Sequence, residues 1–142
     1  MKTIKKNVYY CDYCKKRSLS ASAMTVHESH CTANPHRKCR LCRESFDIAT
    51  YTEQLKARFE IIEVEDDYGI TRHEIKWNGD HITLAEIEKF TNGCPNCTFA
   101  ILRQTKLNYS VFGFNYDYKK ELNEYWKDRN NEEYEREMRS YY

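Results

Sequence analysis

The chain has 142 residues, enough for one compact domain or two very small ones, with 40% hydrophobic and 32% charged residues. Mean hydropathy is −0.91, and the longest apolar runs, such as Phe99-Ala100-Ile101-Leu102, fall far short of the ~20 residues a membrane helix needs. Four glycines and two prolines argue against a long flexible linker, and twenty aromatics argue for an ordered chain. So polar a composition is poorly held by apolar burial alone.

Seven cysteines suggest what else holds it. The first ten residues carry three lysines with no apolar stretch after them, so no signal peptide is expected. In a reducing compartment thiols bind metal more often than they pair. Cys11-x-x-Cys14 is followed by twelve residues, His27, three more residues and Cys31. Cys39-x-x-Cys42 comes next, and fifty-one residues later Cys94-x-x-Cys97. Three thiolates with one imidazole make one tetrahedral set, and four thiolates make a second. Every cysteine is then used. The expectation is two Zn2+ ions, one held by Cys11, Cys14, His27 and Cys31, the other by Cys39, Cys42, Cys94 and Cys97. Two rivals stand beside this assignment. His30 forms His27-x-x-His30, but two intervening residues are fewer than the usual three to five, so Cys31 ranks ahead of it. His36, three before Cys39, competes for a place in the second set.

From Tyr9 to Cys31 the chain resembles a ββα zinc finger of the CCHC ligand type. Tyr9, two before the first cysteine, matches the family's aromatic, and Met24, three before His27, its apolar helix position. Ser18 stands where the family has a core Phe, a gap that Leu19 is expected to cover. The resemblance implies base-reading helix positions at Ser20, Ala23 and Val26, none of which carries the long bidentate donors that discriminate bases. Cys94-Pro95-Asn96-Cys97 opens into Thr98–Gln104, which reads as a helix. A final ligand pair entering a helix resembles the treble-clef and zinc-ribbon families.

Between the knuckles, Ile48, Tyr51, Leu55 and Phe59 have helical spacing, predicting a helix over Ser45 to Arg58. Glu60 to Val64 reads as a strand, Asp66-Asp67-Tyr68-Gly69 as its turn, and Ile70 to Trp77 as a second strand. Asn78-Gly79 predicts a two-residue turn into a short third strand near Ile82. Thr83-Leu84-Ala85-Glu86 has the capping-box form, opening a helix to about Thr91 that Asn92-Gly93 stops. Leu107 to Tyr116 is expected to be extended. From Asp117 a long polar helix should dock through Leu122 and Trp126, with Tyr125 and Arg129 on the same side. The competing reading is a partner-binding helix whose exposed Tyr134, Met138, Tyr141 and Tyr142 meet another chain. The expected fold is α+β: a finger (1–35), a four-cysteine body with a three-stranded antiparallel meander (36–106), and an aromatic segment with a C-terminal helix (107–142).

Charge is partitioned. Residues 1–43 hold ten Lys/Arg against two Asp/Glu, or +8, and residues 44–102 hold five against twelve, or −7. Lys15, Lys16, Arg17, Arg37, Lys38, Arg40 and Arg43 are the candidate phosphate contacts. The competing reading is a basic face docked on the chain's own acidic middle. Asp80-His81-Ile82 followed by Asn92 faintly resembles an HNH nuclease motif, but Thr98 follows the last cysteine where those enzymes carry a His. With four protein ligands per ion, both centres are expected to be structural, and no catalytic residue is assigned. The run Cys31 to Cys39 and Gly93-Cys94-Pro95-Asn96-Cys97 are similar to small zinc proteins encoded by tailed bacteriophages. That similarity implies a protein of the host-cell cytoplasm or the virus particle. The expected partners are nucleic acid or a protein complex, not a membrane.

Overall fold

The computed structural model describes residues 1–44, 46–108 and 112–140, except the side chains of Tyr134 and Ser140. Among these it is an α+β arrangement of five helices and two two-stranded antiparallel sheets. The first unit is a minimal ββα: β1 (Tyr9–Tyr10) pairs with β2 (Arg17–Ser18), and α1 (Ala21–His30) follows. Ser20 caps α1, its hydroxyl accepting from the Ala23 N–H at 3.3 Å. The interior of this unit is Cys11, Met24 and Cys31, with Cys14 and Ala33 packed alongside. Leu19 does not cover the gap at Ser18, for its side chain is 61% exposed. A two-residue strand pair is too short to carry it back over the helix.

The body is built around α4 (Pro95–Thr105), whose Cys97, Thr98, Ala100, Ile101, Leu102 and Thr105 are all buried. Pro95 suits the first helical position because its missing N–H would be unpaired there in any case. Onto α4 pack α2 (Ile48–Lys56), capped by Asp47, and α3 (Leu84–Phe90), capped by Thr83. Tyr51 of α2 stacks on Phe90 of α3 with ring centroids 3.8 Å apart. The helix expected from Ser45 starts at Ile48; Ser45 itself lies outside the described residues. As expected, α3 ends in left-handed backbone, Asn92 at φ +51 and Gly93 at φ +75, and the Gly93 N–H returns to the Glu88 carbonyl at 2.9 Å.

Strands β3 (Phe59–Glu65) and β4 (Thr71–Trp77) form a hairpin in which Phe59 faces Trp77 and Ile61 faces Ile75. These four pack on the core. Asp66 organises the turn, its Oδ1 accepting from the N–H groups of Tyr68 and Ile70, both at 2.9 Å.

The expected third strand is not there. After Trp77 the Asn78 N–H adds one bond to the Arg58 carbonyl at 2.8 Å, and Gly79 then takes φ +126. The Arg58 guanidinium captures the carbonyls of Asp80 at 3.0 Å and His81 at 3.3 Å. Those acceptors are therefore withdrawn from strand pairing, and Ile82 drops into the core instead. Arg58 also binds Glu86 at 2.6 Å, so one side chain ties β3, this loop and α3 together.

The extended run expected over Leu107 to Tyr116 does not appear among the described residues; 109–111 lie outside them. Leu107 is buried in a turn and Gly113 has φ +78. The last helix, α5 (Tyr118–Ser140), begins on α4, with the Tyr118 hydroxyl donating to Asn96 Oδ1. Leu122 and Tyr125 pack on the core, and Arg129 donates to the Leu41 carbonyl at 3.1 Å. Trp126 does not dock as expected but is 47% exposed. Successive helical residues are turned by about 100°, so a face built on 122, 125 and 129 leaves 126 beside the contact. Tyr141, Tyr142 and the Tyr134 side chain, which the partner-binding reading uses, lie outside the described residues.

Candidate metal centres

Two groups of side chains converge, Cys11, Cys14, His27 and Cys31 in one and Cys39, Cys42, Cys94 and Cys97 in the other. In each group all four ligand atoms lie within 4.8 Å of one another. In the second, Cys39 Sγ lies 3.7 Å from Cys94 Sγ, and Cys42 Sγ 3.7 Å from Cys97 Sγ. A tetrahedral ion with metal–sulfur bonds of about 2.3 Å requires sulfur–sulfur edges near ~3.8 Å, whereas a disulfide requires about 2.05 Å. The spacing therefore fits a shared ion. In the first group the Cys14 Sγ to His27 Nε2 distance is 3.2 Å.

Local backbone explains why these side chains meet. The first knuckle is closed by the Cys11 N–H to the Lys16 carbonyl at 2.8 Å and the Lys15 N–H back to Cys11 at 3.0 Å. The residue directly after the second cysteine is left-handed in the first two of the three knuckles, Lys15 at φ 64 and Arg43 at φ 55. The two turns thus share one strained element, unmarked in the sequence because neither position is glycine. His27 and Cys31 stand one turn apart at the end of α1. Cys94 is the N-cap residue of α4, and Cys97 lies in its first turn, where the N-terminal end of the helix favours thiolate.

The thiols are electrostatically uneven. Burial alone would raise Cys14, yet the Lys16 N–H, then His27 and the neighbouring thiols, bring it down to about 6. Burial keeps Cys31 raised. In the second group, hydrogen bonds from Cys94 and Cys97 hold the Cys39 thiol far below its usual range. Sharing with Cys39 pushes Cys94 up to about 12 and raises Cys97 as well.

Neither rival histidine joins a cluster. The His30 Nδ1–H donates to the Lys38 carbonyl at 2.7 Å, and His36 is exposed, its backbone N–H donating to Asn34 Oδ1 at 2.9 Å. His81 stacks on Trp77, ring centroids 4.6 Å apart.

Of the candidate basic residues, Lys15, Lys16, Arg17, Lys38, Arg40 and Arg43 are exposed. Arg37 is turned inward: its Nε–H donates to the His30 carbonyl at 3.3 Å, and Nη1 lies 3.9 Å from Cys97 Sγ. Four thiolates on a divalent ion leave a net charge near −2, which this guanidinium offsets in part. Arg37, Lys38 and Arg43, with His36 and Asp47, line a cleft of about 430 Å³ beside the second cluster.

Sequence reasoning missed the residues that hold the two clusters in relation to one another. Arg103 donates to Thr32 Oγ1 at 2.8 Å, and Gln104 Nε2 donates to the carbonyls of Thr32 and Asn34 at 3.0 and 3.1 Å. Buried Asn34 in turn donates to the Glu28 carbonyl at 2.8 Å. Nothing in the spacing of these residues announces contacts that span some seventy positions.

Fold and sites together define a small α+β protein with two four-ligand centres, each able to hold a metal ion. Compared with known families, curated proteins and solved structures, the chain has no match. No helix among the described residues is long and apolar enough to cross a membrane.

Proposed function

We propose that the chain is a non-enzymatic zinc-binding module whose basic amino-terminal third contacts nucleic acid. Zinc fits because it prefers tetrahedral, thiolate-rich sets, and four protein ligands leave no open position for substrate or water. His81, which a nuclease reading needs as its base, is already engaged on Trp77. The observation that carries the nucleic-acid reading is the lack of acidic partners. Among the described residues, the ion pairs involve Lys56, Arg58, Arg72 and His73, and none involves a Lys or Arg of residues 1–43. This supports the phosphate-binding reading over a basic face docked on the chain's own acidic middle. Apart from Arg37, which is turned onto the second cluster, the candidate contacts Lys15, Lys16, Arg17, Lys38, Arg40 and Arg43 are exposed, as a footprint for phosphate requires.

A second reading, a component of a viral particle or other assembly, is favoured by α5, which carries exposed Trp126 and Met138. Either role is set in the cytoplasm, that of an infected host if the bacteriophage resemblance holds, or in the particle. Filter binding to DNA and RNA at two salt concentrations separates the readings. About five phosphate contacts to duplex DNA give a log–log salt slope near roughly −4.5. Neutralising Lys15, Lys16 and Arg17 makes it shallower without altering sequence preference. No binding at the lower salt removes the nucleic-acid reading and leaves the assembly reading standing.

A further inference from the structure

The finger presents a surface that its own fold does not use. In the β1–β2 pair Tyr10 lies opposite Arg17 and Tyr9 opposite Ser18. Strand side chains alternate, so Val8, Tyr10, Arg17 and Leu19 belong to one face. Tyr10 is 58% exposed, and Val8 and Leu19 are exposed beside it. Val8, Arg17, Ser18 and Leu19 line a groove of about 340 Å³. Tyr13, between the two cysteines of the knuckle, is 44% exposed, with Lys15 and Lys16 following it, both exposed. None of these side chains contributes to the interior, which is formed by Cys11, Met24 and Cys31.

Resting on the nucleic-acid reading above, we propose that the exposed surface of this unit, the strand face together with the knuckle that follows it, binds single-stranded nucleic acid. Tyr10 and Tyr13 stack on unpaired bases, while Lys15, Lys16 and Arg17 hold the phosphates between them. Two facts favour a single strand over a duplex. Bases in a duplex are stacked on one another and offer no π-face, whereas an unpaired strand offers one at every nucleotide. The helix that would enter a major groove has nothing to read bases with: Ser20 is engaged as a cap, and Ala23 and Val26 are short and apolar. Charge selects the class of partner. Residues 1–43 carry +8, and a polyanion with exposed rings matches a cationic, tyrosine-bearing surface in both respects.

The test is fluorescence anisotropy of the metal-loaded full chain with labelled oligo-dT, oligo-U and a duplex of equal length. The single strands are expected to bind about tenfold or more tighter than the duplex. Tyr10→Leu and Tyr13→Leu should each weaken single-strand binding by roughly tenfold, with the salt slope unchanged, while the Phe variants keep affinity. Equal binding of oligo-dT and oligo-U supports recognition through features common to both, and tighter oligo-U assigns RNA through its 2′-hydroxyls. Duplex bound as tightly as single strand, with the Leu variants silent, overturns the inference and leaves the phosphate-binding reading intact. No binding to any probe at low salt overturns both. The strand preference of the unaltered chain decides the matter even if a variant fails to fold.

Discussion

The finger and the body use the same ligand chemistry for different purposes. In the finger, the buried hydrophobic residues are Cys11, Met24 and Cys31, so two of the three are themselves members of the cluster. In the body, Cys39, Cys94 and Cys97 sit within a core that also holds Leu41, Ile48, Leu55, Phe59, Ile82, Ile87, Ile101, Leu102 and Leu107. Burying Met24 contributes about 1.5–3 kcal/mol, while fixing a single backbone residue costs about 1–2 kcal/mol. One methionine cannot order the ten residues of α1. A structural zinc, at roughly 10–16 kcal/mol of apparent binding energy, can. A metal held by the first cluster would create this unit. In the body a metal would share that work with nine apolar side chains of one core, joining a knuckle before α2 to the start of α4.

The largest expected effect follows from this contrast. Cys14→Ser should melt residues 1–31 and leave the body folded, whereas Cys94→Ser should release the loop between the knuckles and unfold the body. Apparent zinc energies of ~10 kcal/mol or more match the whole ~5–15 kcal/mol stability of a typical domain. Elemental analysis should find two zinc ions in the native chain and one in Cys14→Ser, with residue-resolved NMR locating the lost structure. Equal, global unfolding of both variants would show that the finger is not a separate unit.

A smaller effect sharpens the same comparison without touching a ligand. Leu55 is 1% exposed and Met24 is 5% exposed, so both are interior, but in different interiors. Leu55→Ala should cost about 2–5 kcal/mol in urea unfolding of the metal-loaded protein. Met24→Ala should leave that body transition in place and instead weaken zinc retention by the finger in a chelator competition. A body transition shifted equally by both would merge the two cores into one.

The smallest effect concerns the strained turns. Lys15→Gly and Arg43→Gly replace left-handed non-glycine residues, each substitution expected to stabilise by about 0.5–1 kcal/mol. The left-handed cost of ~1–2 kcal/mol is offset in part by the greater freedom of glycine in the unfolded chain. The gain should appear as tighter zinc retention in the finger for Lys15→Gly and a higher urea midpoint of the body for Arg43→Gly. A loss in either case would mean that the lysine or arginine side chain makes a contact worth more than the strain.

What could be read directly from the sequence was whatever depends on neighbours within a few positions. The Cys-x-x-Cys turns, the His27–Cys31 pair, the Thr83 cap, the Asp66–Gly69 turn and the Asn92-Gly93 stop are all local, because short-range sterics and hydrogen bonds decide them. The Cys-x-x-Cys and His-x-x-x-Cys spacing also grouped the eight side chains that the structure brings into two clusters. Where a local signal met a competing distant partner, tertiary structure decided. Asn78-Gly79 is a good hairpin signal, yet Arg58, twenty residues earlier, takes the carbonyls a third strand would need. Leu122 set a helix face on α5 compatible with Tyr125 or Trp126, and the Leu41 carbonyl waiting for Arg129 chose the rotation that buries Tyr125. The linker from Thr32 to Asn34 reads as an unremarkable loop until Arg103 and Gln104 of α4 close on it. The physical reason is common to all three: a side chain commits to whichever partner lies nearest in space, and distance in space is set only when the elements have docked.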